Sequence, residues 1–139
     1  MASTVAAKQT IAVGSPVVIE ATSSAASVAV VFEDDGETGY FYSVDISGGN
    51  LRILDAVHIY TVVEVSDREL PVVIKVLWEA GGTRAALLVN DYPHAVFDFD
   101  RRRGYCRTDY PEPPSESDWV RPEWDDAILE TLGLEAGHA

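Results

Sequence analysis

The chain has 139 residues, of which 47% are hydrophobic, and its 23 acidic and 10 basic residues give a formal net charge of −13. This length suits a single domain with a substantial core, and this charge argues against nucleic acid and anionic membranes as partners. No stretch approaches the roughly 18 uninterrupted apolar residues of a membrane helix. The N-terminus has no signal-peptide pattern, and the one cysteine, Cys106, has no partner for an internal disulfide, so we expect a cytoplasmic protein.

The first residues of the chain are small and polar with no hydrophobic period, and we expect residues 1–14 to be flexible. Residues 16–107 are predicted to form a β-sheet core, because short β-branched and aromatic segments alternate with turn residues. Residues 51–65 fit either a helix or a strand, and their β-branched content favours a strand over residues 53–63. The other predicted strands cover residues 16–21, 28–33, 40–45, 71–79, 84–90, 94–100 and 105–107.

A proline-rich segment over residues 108–121 is predicted to be a linker, and a helix is predicted to follow it over residues 122–133. Pro122 suits the first helical position, and Gly133 suits the position after the C-cap. The apolar side chains expected to pack this helix on the sheet are Trp124, Ala127, Ile128 and Leu132.

Strands joined by turns of a few residues must be antiparallel neighbours, because parallel neighbours need longer crossover connections. The sequence therefore predicts an α+β, mainly β domain. Its sheet is expected to be an antiparallel meander of about seven or eight strands, twisted or sandwich-like, with one C-terminal helix.

Familiar catalytic and metal-binding motifs are missing from the sequence, which lowers the expectation of an enzyme and predicts neither a metal nor another cofactor. The alternative is an active site with Cys106 as nucleophile, His94 as base and Asp98 as the acid that orients it. His94 and Asp98 are four residues apart and so share one face of a strand, and arginine stands beside Cys106, as at many reactive thiols. A core cysteine and a turn histidine explain the same residues more simply.

Acidic residues are concentrated at a turn over residues 33–37. Asp34, Asp35 and Glu37 could contact a protein partner or grip a hard cation such as calcium, although the spacing of an EF-hand is missing. A solvated hairpin tip is the simplest interpretation, and a protein-binding loop is the next.

A second acidic surface is expected on the outer face of the C-terminal helix, where Glu123, Asp126 and Glu130 would lie. Trp119 lies in the linker between Asp118 and Val120. It is predicted either to plug the sheet or to anchor a partner.

Three segments resemble a family of bacterial proteins known as a domain of unknown function. They are FEDDGETGYFYSVD over residues 32–45, ILDAVHIY over residues 53–60 and AALLVNDYPHAVFDFDRRRGYCRTDYP over residues 85–111. The resemblance covers about residues 28–111 and implies no reaction, ligand or catalytic residue. The positions within it that merit attention first are Asp34, Asp35, Gly36, Tyr40, His58, His94 and residues 104–107.

Small size, strong acidity and the missing catalytic motifs together favour a non-catalytic protein-binding module. We expect it to bind a basic protein, as an immunity or antitoxin-like protein binds a cationic toxin, because an acidic surface steers such a partner. The alternatives are a small enzyme that uses His94, Asp98 and Cys106, and a structural homodimer joined through exposed strand edges.

Overall fold

Residues 3–134 are described by a computed structural model, in which two antiparallel sheets pack face to face. The strands are β1 (Ser3–Ile11), β2 (Val17–Thr22), β3 (Val28–Asp34), β4 (Thr38–Asp45), β5 (Arg52–Thr61), β6 (Val72–Glu79), β7 (Arg84–Val89), β8 (Tyr92–Asp98) and β9 (Arg103–Cys106). One sheet has the order β1-β6-β7-β8-β9 and the other has the order β2-β3-β4-β5. The predicted mainly β, antiparallel class is confirmed, and the sandwich is the form that it takes.

The core fills the space between the two sheets. Phe41 from β4 and Phe97 from β8 are both fully buried, and their rings stack with centroids 5.1 Å apart. Around them, the inward-facing side chains of both sheets form one continuous hydrophobic cluster. Alternate residues of the paired strands face this core, as in a β-sandwich.

The prediction that residues 1–14 are flexible is wrong for β1. This strand pairs with β6 from Ser3 opposite Glu79 to Ile11 opposite Val72, with a bulge between Val5 and Ala7. Most of its side chains are exposed, because it is an edge strand, so no apolar alternation marks it in the sequence. The sheet consequently has an extra strand, which sits beside β6 and departs from a simple meander.

Residues 51–65 contain the predicted strand, followed by a short 3-10 turn over Val62–Glu64. The turn between β7 and β8 is tighter than the sequence suggests. Asn90 and Asp91 have φ values of 50° and 65°, as a two-residue type I′ hairpin requires, and β8 begins directly afterwards. Pro93 fits inside β8 because the pairing with β7 is irregular there.

The predicted linker over residues 108–121 is not a free tether. Trp119 is only 8% exposed and its ring meets those of Phe97 and Phe99 edge-on. Val120 forms a bridge with Arg103, and the side chain of Arg121 is 3% exposed. The segment therefore closes one end of the sandwich.

The C-terminal helix is shorter and tighter than predicted. It runs over Asp126–Leu132 as a 3-10 helix, with Asp125 as N-cap and Gly133 in the left-handed conformation at φ 72°. The Leu134 N–H donates to the Leu129 carbonyl and the Gly133 N–H to the Glu130 carbonyl, which is the hydrogen-bond pattern of a Schellman motif.

The face that this helix buries also differs from the prediction. Leu129 and Leu132 are fully buried, whereas Trp124 and Ile128 are half-buried and Ala127 is exposed. The reason is the helix type, since residues three apart align along a 3-10 helix. The two leucines pack against the outer side of the five-stranded sheet.

We predict that Leu129→Ala lowers the free energy of unfolding by about 2–5 kcal/mol, because it leaves a cavity between the helix and the sheet. Trp124→Ala should cost less than about 2 kcal/mol, since that ring is half-buried at the edge of the cluster and one of its contacts is with Arg107. Urea unfolding of both variants measures the difference. A larger loss for Trp124→Ala than for Leu129→Ala would contradict this packing.

A second prediction concerns Arg121, whose guanidinium pairs with the buried Asp55 carboxylate through two contacts of 2.7 Å. Arg121→Met should lower the free energy of unfolding by about 3–5 kcal/mol, because it leaves the Asp55 carboxylate as an unpaired charge in the core. Arg52→Met removes an ion pair whose arginine is 73% exposed, and this matched control should cost less than about 1 kcal/mol. Adding Asp55→Asn to Arg121→Met should recover part of the loss, and no recovery would show that the charge is not the cause.

Candidate functional site

The proposed catalytic residues do not come together. Cys106 on β9 lies opposite Ala95, is 0% exposed and belongs to the cluster between the sheets. Asp98 lies opposite Arg84 and Arg103 on the other side of the same sheet. Because a strand places alternate side chains on opposite faces, the thiol and this carboxylate are separated by the sheet itself.

His94 lies where the β7–β8 pairing is irregular, beside the edge of the Tyr92 ring. Burial, reinforced by the positive charge of Arg107, lowers the pKa of its imidazole to about 4. A base this weak has little tendency to accept a proton at neutral pH. Together with the placement of Cys106, this argues against the predicted catalytic group.

Asp98 has a structural role instead. Arg84 donates from Nε to Asp98 Oδ2 at 3.2 Å and from Nη1 to Glu79 Oε2 at 2.9 Å. The backbone N–H of Arg101 donates to the other oxygen of Asp98. Both carboxylates are nearly buried, and shared hydrogen bonds to one arginine compensate their desolvation.

The acidic turn over residues 33–37 divides into a buried and an exposed part. Asp34 is 1% exposed and accepts hydrogen bonds from the Gly14 N–H, the Gly36 N–H and the Tyr60 hydroxyl. Asp34 therefore shapes the turn and is not available to a partner. Asp35 and Glu37 are exposed, and N–H groups of Thr38 and Glu37 lower the pKa of Asp35.

Glu130 on the C-terminal helix is exposed, and so is Glu123, which precedes the helix instead of lying on it as predicted. Asp126 is partly engaged, because it accepts from Trp124 Nε1 at 2.8 Å and lies 3.7 Å from Arg107 Nη2. Trp119 is the plug of the sheet that the sequence allowed as one alternative.

A cleft of about 500 Å³ opens at one end of the sandwich, between Trp119 and Leu54. The two arginines that line it are already ion-paired, Arg52 with Asp45 at 3.1 Å and Arg102 with Asp118 at 2.8 Å. The cleft therefore has no free cation for an anionic ligand. Within residues 3–134, no three His, Cys, Asp or Glu side chains are placed to hold a metal ion.

The outer side of the four-stranded sheet has a different composition. Its hydrophobic cluster contains only residues from β3, β4 and the turn after β4, so neither the helix nor the other sheet contributes to it. Three rows cross the strands on this side: Val18-Glu33-Tyr40-His58, Glu20-Val31-Tyr42-Ala56 and Thr22-Ala29-Val44-Ile53. We refer to the aromatic part of this surface, Tyr40, Tyr42, His58 and Tyr110, as the tyrosine face.

The rings of the tyrosine face form a row in which each ring contacts the next. Tyr42 stacks on Tyr40 with centroids 6.0 Å apart, and the Tyr40 ring meets His58 edge-on at 5.7 Å. Tyr110, which is 58% exposed, meets the other side of His58 at 6.1 Å. The His58 N–H donates to the Tyr110 carbonyl, which fixes the segment after β9 beside β5.

Carboxylates dominate the charge of this surface. Glu33 accepts a hydrogen bond from the Tyr42 hydroxyl at 3.4 Å, and Glu20 lies on the neighbouring row. Burial, with Glu33 as the next cause, raises the pKa of Tyr42 to about 12. Within β2–β5, which the structure describes in full, Arg52 is the one lysine or arginine, and it stands at the beginning of β5.

Tyr40 and His58 are among the positions expected from the sequence to matter, whereas Tyr42 and Tyr110 are not. The available signal was the alternation of Tyr40, Phe41 and Tyr42, which places two tyrosines on one side of a strand and a core phenylalanine on the other. Tyr110 had no such signal, because its position depends on the path of the chain after β9.

Comparison with known proteins finds a bacterial family that matches most of this chain. Residues 11–133 match the family described as "Uncharacterized protein conserved in bacteria (DUF2251)". The chain belongs to this family. The DUF2251 match includes β2 to β9 and the C-terminal helix, whereas Ile11 is the one residue of β1 that it includes.

A relative described as "Uncharacterized protein" in Haemophilus influenzae is 46% identical over 95 residues. The aligned region is 68% of this chain and 59% of that relative, so the chain spans less than two thirds of the relative's length. No solved structure matches the chain. Among the described residues of this DUF2251 member, no helix is long and apolar enough to cross a membrane.

We predict that His94 stays neutral in the folded protein down to about pH 4. An unfolded chain protonates the same group near its reference pKa of 6.5, so it gains a proton first as the pH falls. The contribution of neutral His94 to the free energy of unfolding is therefore fully present above about pH 6.5 and is lost towards pH 4. The loss amounts to at most about 3 kcal/mol. The NMR shift of the His94 ring measures the titration, and a midpoint near pH 6.5 would contradict the burial described.

Proposed function

We propose that this protein is a non-catalytic, cytoplasmic protein-binding module that captures a basic protein partner through the tyrosine face. The observation that carries the proposal is an aromatic sheet surface to whose cluster neither the helix nor the other sheet contributes, and which is bordered by carboxylates. Tyrosine is enriched in protein interfaces because its ring buries a large area while its hydroxyl remains able to form hydrogen bonds.

The neighbouring side chains add apolar area to this surface. Val18 and Ile53 project from the same side of the sheet and are 59% and 56% exposed. Exposed large apolar side chains grouped around aromatic rings are typical of a binding surface. The rings restrain one another through their contacts, so a partner would lose less conformational entropy in ordering them.

The charge of the chain supports a basic partner. A net charge of −13 attracts a cationic protein over long range and increases its association rate at low ionic strength. Asp35 and Glu37 extend the acidic border at the β3–β4 turn. An immunity or antitoxin-like role, in which the module blocks a basic toxin, is the biological form of this proposal.

The acidic outer side of the C-terminal helix is a competing surface for the same partner, and a matched pair of charge reversals separates the two. Glu33→Lys changes the tyrosine face, and Glu130→Lys makes the same change of charge on the helix. We predict that a basic protein retained from bacterial lysate by the wild type is also retained by Glu130→Lys and is lost with Glu33→Lys. Its dissociation constant, measured with the purified partner, should rise steeply with salt because screening weakens exposed charges.

The opposite pattern, with retention lost only in Glu130→Lys, would move the binding surface to the helix. Equal binding by the wild type and both variants would contradict the proposed function. Circular dichroism and the urea midpoint of each variant establish that it is folded before binding is compared.

A further inference from the structure

We propose that the tyrosine face recognises arginine side chains, with a guanidinium lying on the Tyr42 ring beside the Glu33 carboxylate. This inference rests on the proposed function and gives the chemistry of the partner. The same molecule already uses such an arrangement internally.

That internal arrangement holds Arg107. Its guanidinium lies 4.1 Å from the centroid of Tyr92 and 4.4 Å from that of Trp124. Trp124 Nε1 donates to Asp126 at 2.8 Å, and the same carboxylate lies 3.7 Å from the guanidinium. An aromatic ring whose polar group holds a carboxylate thus provides both a face and an anion for one arginine.

Tyr42 and Glu33 repeat this combination on the opposite side of the molecule. The Tyr42 hydroxyl donates to Glu33 Oε1, which sets the carboxylate beside the ring, as Trp124 does with Asp126. Within residues 3–134, Glu33 forms no salt bridge and no guanidinium lies over Tyr42. The structure therefore has two ring-and-carboxylate pairs, one occupied by its own arginine and one open to a partner.

The surroundings of Tyr42 favour a cation. Burial lowers the pKa of His58, so its ring is neutral at physiological pH and does not repel a positive group. Glu20 lies on the Tyr42 row two strands away, and Asp35 contributes negative charge from the β3–β4 turn.

Arginine suits this surface better than lysine. Its planar guanidinium can stack on a ring and still donate hydrogen bonds in its own plane to a carboxylate at the ring edge. A lysine ammonium is compact and strongly hydrated, and it cannot make both contacts with the same geometry. A partner segment that is extended would place alternate arginines on one side, following the same alternation that places Tyr40 and Tyr42 together.

The test uses the full chain, labelled with ¹⁵N, and two synthetic heptapeptides in which glycine alternates with either arginine or lysine. We expect the arginine peptide to shift amide signals of β3 and β4 and to bind at least about fivefold more tightly than the lysine peptide. Glu33→Gln should lower the affinity for the arginine peptide by about fivefold or more. Tyr42→Leu should remove the difference between the peptides, Tyr42→Phe should keep the part of it that comes from the ring, and Glu130→Gln should leave both affinities unchanged.

Equal affinity for the two peptides would overturn the inference while leaving a basic partner in place. Shifts confined to the helix, or no binding of either peptide, would overturn it as well. Failure of the proposed function itself appears elsewhere, in partner capture that does not respond to Glu33→Lys. The Tyr42 variants are compared only after their spectra show the dispersion of the folded wild type.

Discussion

The buried ion pair between Asp55 and Arg121 organises the rest of the structure. Asp55 comes from β5 in the four-stranded sheet, and Arg121 also donates to the Gly104 carbonyl on β9 in the other sheet and to the Pro111 and Ala56 carbonyls. One guanidinium thus joins two sheets and the segment after β9. Its desolvation is offset because both carboxylate oxygens and three carbonyls accept its protons. A Cβ on Gly104 would come within 2.2 Å of Asp55 Oδ2, so the pair also requires a glycine there.

After this attachment the chain covers the outer side of one of the two sheets. From Arg121 the chain continues onto the five-stranded sheet, where Leu129 and Leu132 pack against Leu77, Ala86 and Val96. No equivalent segment of residues 3–134 joins the hydrophobic cluster on the outer side of the four-stranded sheet. Beneath the helix the side chains are buried, Tyr105 included, whereas on the other outer surface the tyrosines reach solvent. Tyrosine is tolerated there because its hydroxyl can remain hydrated or bonded to Glu33.

The sequence predicts those features that depend on local pattern. Alternation in residues 28–45 and 71–100 predicts the strands, and turn chemistry predicts their antiparallel order. The features that it misses depend on contacts between distant residues. β1 has no apolar alternation and forms because β6 offers an unpaired edge, and the helix becomes a 3-10 helix that buries Leu129. The pair Asp55–Arg121, 66 residues apart, gives no local signal at all, and neither does the separation of Cys106 from Asp98 by a sheet.

The buried and the exposed acidic residues of the chain have different physical roles. Asp34, Asp55, Glu79 and Asp98 are nearly buried, and each accepts hydrogen bonds that fix a turn, a sheet contact or an arginine. These carboxylates stabilise the fold and are inaccessible to a partner. Exposed acids, in contrast, act over distance and are screened by salt, so they accelerate an encounter without choosing among cationic proteins. Discrimination then requires short-range groups of fixed geometry, and the contacting rings of the tyrosine face, with Glu33 held beside Tyr42, are groups of that kind.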